Sequence, residues 1–196
     1  MKRLRVPAAA VLALLLATPL ASEEMALAAD LQVPLLLKIL TYDRNLERKA
    51  GKELAIGIVY DPGDRDSALA TDLIGSTLFR FGDKTVKALP IKYYTIEYTN
   101  PADLQRFVKQ RGISVLYVAP GNTRNLPDLV RVSQSLGLTS ATGVPEYVRK
   151  GVAVGIGVVQ DRPQILINLV AAKAEGSDFD ASLLRIAVII GPRVTP

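Results

Sequence analysis

The chain has 196 residues, 49% of them hydrophobic, no Cys, no His and a formal net charge of +5. The missing residue types exclude disulfides, Ser-His-Asp and Cys-His nucleophile systems, and zinc sites built on His or Cys. The charges are interspersed without a Lys/Arg block, so the electrostatic footprint of a nucleic-acid binder is missing and no nucleic-acid partner is expected.

Lys2, Arg3 and Arg5 precede an apolar stretch from Val6 to Ala17, and Ala26-Leu27-Ala28 supplies a small-x-small pattern. This reads as a secretory signal peptide over residues 1–28, with cleavage after Ala28 preferred and after Ala21 as the alternative. A membrane anchor needs about 18–20 apolar residues, and Pro19, Ser22, Glu23 and Glu24 break the run too early. Cleavage after Ala28 removes three basic and two acidic residues and lowers the formal charge to +4. That mild charge serves solubility.

From Leu31 to Lys49 the apolar residues Leu35, Leu36, Ile39, Leu40 and Leu46 fall to one side, which predicts one amphipathic helix. Pro34 is expected in its first turn and Gly51 at its end. Leu54 to Tyr60 is a nearly continuous apolar run, the pattern of a strand covered on both faces. A polar loop follows, Asp61-Pro62-Gly63-Asp64-Arg65-Asp66, and then a helix from about Ser67 to Phe81, capped by Asp66 or Ser67. Ile91 to Tyr98 reads as a strand with Tyr94 and Tyr98 on one face and Tyr93 on the other. Packing explains these tyrosines better than a nucleic-acid stacking platform does.

Asn100-Pro101 starts a helix that stops at Gly112. Ile113 to Val118 is a third strand, Leu126 to Leu136 a helix ended by Gly137, Leu138 to Ala141 a short strand, and Pro145 to Lys150 a helical turn. Two β-rich stretches then flank Asp161-Arg162-Pro163 as an antiparallel hairpin. Asn168 is placed to cap a turn of helix, and a final apolar helix carries Ser182 to Ala187. Buried strands separated by helices of ten or more residues imply βαβ units. The expected fold is therefore α/β: a single three-layer domain over residues 29–196 with a mostly parallel sheet, helices on both faces and a C-terminal antiparallel hairpin. The edge strands need cover, and a homodimer built through the hairpin is one way to supply it.

Ligands of such sheets bind beyond the carboxyl ends of the strands. Asp61 and Arg65 in the first loop, Asn122, Thr123 and Arg124 in the second, and Thr142 in the third are the candidate ligand-binding residues. Arginines, amides and hydroxyls in that place suit a small anionic ligand, although turns are polar in any case. Asp61, Asp64 and Asp66 depart from the EF-hand spacing, so no metal is assigned. Gly155-x-Gly157 lacks the third glycine of a dinucleotide loop and lies in a strand pattern, so no cofactor is assigned. Ser67, Ser76 and Ser182 have no base partner, and Glu97, Glu146 and Glu175 read as isolated carboxylates. No enzyme is expected.

Asn168-Leu169-Val170-Ala171-Ala172-Lys173-Ala174-Glu175-Gly176, followed by Phe179 and Ser182-Leu183-Leu184-Arg185-Ile186-Ala187, resembles the end of the YfiR-like family of periplasmic proteins. The likeness extends over about residues 31 to 191. It is strongest from Gly151 to Ala187, weaker at Ile113 to Val118, and includes the opening helix at Leu35 to Tyr42 with the strand at Leu54 to Tyr60. The resemblance implies a periplasmic, regulatory, non-catalytic protein. Its partner would be the extracytoplasmic sensory part of an inner-membrane signalling enzyme, a diguanylate cyclase in the named family, which the periplasmic protein holds inactive. Well-known members carry disulfide cysteines that this chain lacks, so redox-linked regulation does not carry over. The competing reading is a small periplasmic solute-binding protein serving a transporter. It rests on the likeness of Leu54 to Asp61 and the following helix to one lobe of such proteins, and it is weakened by a length about half that of a two-lobed clamp.

Overall fold

Helices and strands alternate through residues 25–160 and 162–191, the part that the computed structural model describes. Most of the expected signal segment, residues 1–24, lies outside the described residues. In chain order the elements are α1 (Ala29–Leu40), α2 (Leu46–Ala50), β1 (Leu54–Tyr60), α3 (Arg65–Arg80), β2 (Thr85–Val86) and β3 (Leu89–Glu97). Then follow α4 (Pro101–Arg111), β4 (Val115–Val118), α5 (Leu126–Leu136), β5 (Thr139–Thr142) and α6 (Pro145–Arg149). The chain closes with β6 (Val154–Val159), β7 (Arg162–Asn168), α7 (Leu169–Ala174), α8 (Ala181–Ile186) and β8 (Val188–Ile190).

The strands form one sheet in the order β2-β3-β1-β4-β5-β6-β7-β8. β3, β1, β4, β5 and β6 run parallel, whereas β2–β3 and β6–β7 pair antiparallel. Alternation along the pleat sends Ile56, Ile58, Val115 and Tyr117 to one face, where Val33, Leu36 and Leu40 of α1 and Ile74 and Leu78 of α3 cover them. Ala55, Val59, Leu116 and Val118 go to the other face, under Leu104 and Val108 of α4 and Leu129 and Val132 of α5. The expected three-layer α/β domain with its antiparallel hairpin is what the chain builds. The tyrosines divide as the alternation requires: Tyr93 packs on the first core, Tyr94 and Tyr98 on the second.

Local capping signals set most boundaries. Asn100 accepts a hydrogen bond from Asp103 N, and Gly112 and Gly137 close α4 and α5 in the left-handed region at φ 60° and 68°. Asn168 caps α7 by accepting from Ala171 N. Gly155 sits in β6 where α6 crosses closely, and a side chain there would collide with Val148.

Four expectations need correction. The helix read as Leu31 to Lys49 is two helices, broken at residues 41–45, because Asp43 forms an isolated antiparallel bridge to Phe179 and its Oδ1 accepts from Asn45 N. Since α1 begins at Ala29, Pro34 lies inside it and not in its first turn. Asp64, and neither Asp66 nor Ser67, caps α3, accepting from Ser67 N at 2.8 Å. The hairpin is not the sheet edge, because β8 adds in parallel to β7; the edge strand on that side is β8.

Candidate functional site

The chain leaves β1 toward β3 on one side and returns across it to β4 on the other, so the order of strands reverses between β1 and β4. The loops after these strands bound the crevice where ligands of open parallel sheets are held. Four of the six expected site residues, Asp61, Asn122, Thr123 and Arg124, sit on this pair of loops, Arg65 opens α3 just after the first, and Thr142 ends the next strand, β5. The loops are stitched together: Asn125 Nδ2 donates to Asp61 Oδ2 at 3.3 Å, and Asn122 Nδ2 donates to Ala119 O at 3.0 Å and Val59 O at 3.4 Å. Gly121, at φ 79°, lies so close to the Asp64 carboxylate that a Cβ would stand 2.6 Å from its Cγ.

Asn122 is fully buried, and Thr142 is nearly so, its Oγ1 donating to Val118 O and accepting from Val144 N. These two side chains hold the loops in place. Arg65 and Arg124 are exposed and Thr123 half-buried. The chain's own N-terminal segment also lies at this end of the sheet. Ala26 N donates to Gly143 O at 3.1 Å, Gln32 Nε2 donates to Leu27 O at 3.1 Å, and the Tyr117 hydroxyl donates to Gln32 Oε1. A side chain at position 143 would collide with Gln32.

The opposite end of the sheet carries a buried charge cluster. Glu175, which the sequence presents as an isolated carboxylate, is fully buried at the end of α7. Its Oε1 accepts from Ser133 Oγ at 2.7 Å and from Ser140 Oγ at 2.5 Å, and its Oε2 accepts from Ser140 N at 2.8 Å. Lys49 reaches in from α2 and donates to Thr139 Oγ1, Ser177 Oγ and the Glu175 carbonyl at 2.7–3.0 Å. Asp43, fully buried, accepts from Asn45 N and Asp178 N through Oδ1, while its Oδ2 has no hydrogen bond and lies 4.0 Å from Lys49 Nζ.

Burial pushes the Glu175 carboxyl up to about 7, against the opposing pull of the Ser140 and Ser133 donors and Lys49. The same burial lowers Lys49, whose charge Asp43 and Glu175 support. Arg44 closes the rim, with Asp180 at 2.7 Å and Asp178 at 3.6 Å. The groups joined here lie from 35 to 135 residues apart, so spacing carries no sign of them. The one local signal was the polar interruption at Asp43-Arg44-Asn45.

A third feature is a surface. Leu69, Leu73 and Phe79 are 49%, 55% and 73% exposed on α3. β2 covers only Leu89 and Pro90 of β3, so the remaining β3 edge carries no further strand among the described residues. Phe79 and Tyr93 line a groove of about 620 Å3 between α3 and that edge. Among the described residues no group of three or more acidic side chains is placed to hold a metal ion, and no helix is long and apolar enough to cross a membrane.

Comparison with known proteins places this architecture. Among solved structures, a conserved domain protein from Vibrio cholerae superposes with a TM-score of 0.60 at 16% identity, covering 83% of this chain and 60% of that one. The ABC domain in complex with L-Trp from Streptococcus pneumonia gives 0.53 at 15% identity, covering 77% and 60%. A substrate-binding protein with adhesive properties from Clostridium difficile, in its ligand-free open form, gives 0.52 at 16% identity, covering 76% and 58%. At these identities the likeness is one of fold, and the chain spans about 60% of the length of each. A comparison with curated protein sequences gives no match. The YfiR/HmsC-like family model matches residues 31–188, nearly all of the described domain, and the chain belongs to that family.

Proposed function

We propose that this chain is a periplasmic, non-enzymatic regulator that binds the extracytoplasmic sensory part of an inner-membrane signalling enzyme of the diguanylate cyclase type and modulates it. The observation that carries this reading is the YfiR/HmsC-like match over residues 31–188, because the family is periplasmic, regulatory and non-catalytic. Regulation then works by differential binding: the chain shifts the enzyme between two states only by the difference in its affinity for them. The exposed apolar face of α3 with the adjoining β3 edge is the surface this reading uses, since an open edge strand and exposed Leu and Phe side chains suit a protein partner.

The test is crosslinking of the tagged chain in intact cells, followed by identification of the membrane proteins recovered. Recovery of an inner-membrane cyclase or sensor, reduced by Leu73→Glu or Phe79→Glu, is the expected result. Recovery of a transporter permease instead would overturn the reading and favour solute binding. That second reading draws on the binding-protein-like fold and on Arg65 and Arg124 at the strand-order reversal, where a small anionic ligand would sit. The stitching by Asn122 and the Gln32–Tyr117 contact at the same end of the sheet weigh against it. A thermal shift with amino acids, organic acids or nucleotides that disappears in Arg124→Ala is the outcome it requires.

A further inference from the structure

The cluster around Glu175 joins two parts of the chain that are far apart in sequence. On one side stand the α1–α2 break and α2, with Tyr42, Asp43, Arg44 and Lys49. On the other stands the segment after α7, from Gly176 to Asp180. Backbone bonds cross the seam: Arg44 N donates to Asp178 O at 2.9 Å, Asp180 N donates to Tyr42 O at 2.9 Å, and Asp178 N donates to Asp43 Oδ1 at 3.0 Å. Lys49 completes it through Ser177 Oγ and the Glu175 carbonyl.

Among the buried groups of this seam the charges do not balance; Lys87, which donates to Asp43 O at 2.8 Å, is partly exposed and pairs with Glu47. Two carboxylates, Asp43 and Glu175, are fully buried with one ammonium, Lys49, whose side chain is 8% exposed. All three protons of Lys49 have acceptors in Thr139, Ser177 and the Glu175 carbonyl, so none is aimed at either carboxylate. Lys49 is the charged group that acts on Glu175, while Asp43 supports the charge of Lys49 and Arg48, from the preceding position of α2, opposes it. The other elements around Glu175 present hydroxyls and amides: Ser133 from α5, Ser140 from β5, and Ala153 N before β6, which donates to Ser140 Oγ at 2.9 Å. A buried set with one surplus negative charge is stabilised by taking up a proton.

The hydrogen bonds are arranged to receive that proton without loss. Ser133 Oγ lies 3.0 Å from Val130 O as well as 2.7 Å from Glu175 Oε1, and its single O–H serves one of them at a time. With Glu175 ionised, the Ser133 O–H points at the carboxylate. With Glu175 protonated, the carboxylic O–H donates to Ser133 Oγ, whose own proton turns to Val130 O. Ser140 continues to donate through N and Oγ. Every polar side-chain atom of Glu175, Ser133 and Ser140 keeps a partner in both states.

We propose that Glu175 is a proton-uptake site whose protonation tightens the clasp between the α1–α2 break and the Gly176–Asp180 segment as the surroundings acidify. The device is independent of what the protein binds. A compartment that follows external pH would set the clasp directly.

The test is carboxyl carbon NMR of the purified mature chain labelled in glutamate, titrated from pH 9 to pH 4, with Glu175 assigned through its backbone. The expected result is a Glu175 midpoint near 7, with exchange of the Asp178 and Asp180 amides, corrected for the intrinsic rate, slowing as pH falls through that midpoint. Glu175→Gln, which is neutral at every pH, is expected to abolish that slowing. Ser133→Ala, which removes a donor to the ionised form, is expected to raise the midpoint. A midpoint at the ordinary value of about 4.5, or amide protection that ignores pH between 8 and 6, would overturn the proposal. The wild-type titration decides this even where Glu175→Gln does not fold.

Discussion

The two ends of the sheet use polar residues in opposite ways. At the carboxyl end, Asp61, Asn122, Asn125 and Thr142 make mostly short-range bonds to neighbouring loops and strands, and the charged side chains Arg65 and Arg124 remain in water. At the amino end, Asp43, Lys49 and Glu175 are withdrawn from water and bonded to residues as much as 135 positions away. The first end has the look of a site in the sequence, and in the structure Asn122 and Thr142 tie its loops to the strands. The second shows only the polar interruption at Asp43-Arg44-Asn45 in the sequence, and it holds the buried charge. Polar residues in loops cost little to keep, so their presence says little. A buried charge costs several kcal/mol unless it is paired and hydrogen-bonded, so its presence calls for an explanation.

Substitutions at the two ends should separate in size. Lys49→Met leaves Asp43 and Glu175 without their cation and strips partners from Thr139, Ser177 and the Glu175 carbonyl. A loss of about 3–5 kcal/mol is expected by denaturant unfolding; a loss below 1 kcal/mol would show that the cluster is solvated and the contrast false. Glu175→Gln sharpens the comparison through pH. The folded value near 7 lies above the ordinary 4.5, so the contribution of Glu175 to stability is full below pH 4.5 and is lost as pH rises through 7. Wild type should therefore gain up to about 3 kcal/mol relative to Glu175→Gln on acidification from pH 8 to pH 5. Parallel stability–pH curves for the two proteins would refute the sign.

At the carboxyl end, Asn122→Ala removes the donor that satisfies Ala119 O and Val59 O in a fully buried position. About 1–3 kcal/mol is expected, read from the same unfolding midpoint. Arg124→Ala at the exposed tip of that loop should change stability by no more than about 0.5 kcal/mol. A larger loss there would mean that this end also carries buried electrostatics.

What the sequence disclosed follows the reach of each interaction. Strand β1 was legible because Leu54 to Tyr60 is apolar throughout, and α4, α5 and α7 because Asn100, Gly112, Gly137 and Asn168 are signals that act within three or four residues. The break between α1 and α2 was hidden because apolar periodicity runs through it, and tertiary bonds from Phe179, Asp178 and Asp180 impose it. β2 and β8 are two and three residues long and exist through their partners, β3 and β7. Lys87 and Ala88 turn the β2–β3 hairpin at φ 50° and 64°, a conformation that usually advertises itself with Asn-Gly. Of the candidate ligand residues, the sequence located the loops correctly and left the roles open, because Asn122 as a ligand and Asn122 as a stitch are written with the same letter.

The proposed role is regulatory: restraint of a membrane enzyme that makes a second messenger. The most direct measurement is intracellular cyclic di-GMP in cells carrying a deletion of this chain, with and without the wild-type chain restored. A rise on deletion and a return to the starting level on restoration are expected. An unchanged level, with the restored chain verified in the periplasm, would contradict it.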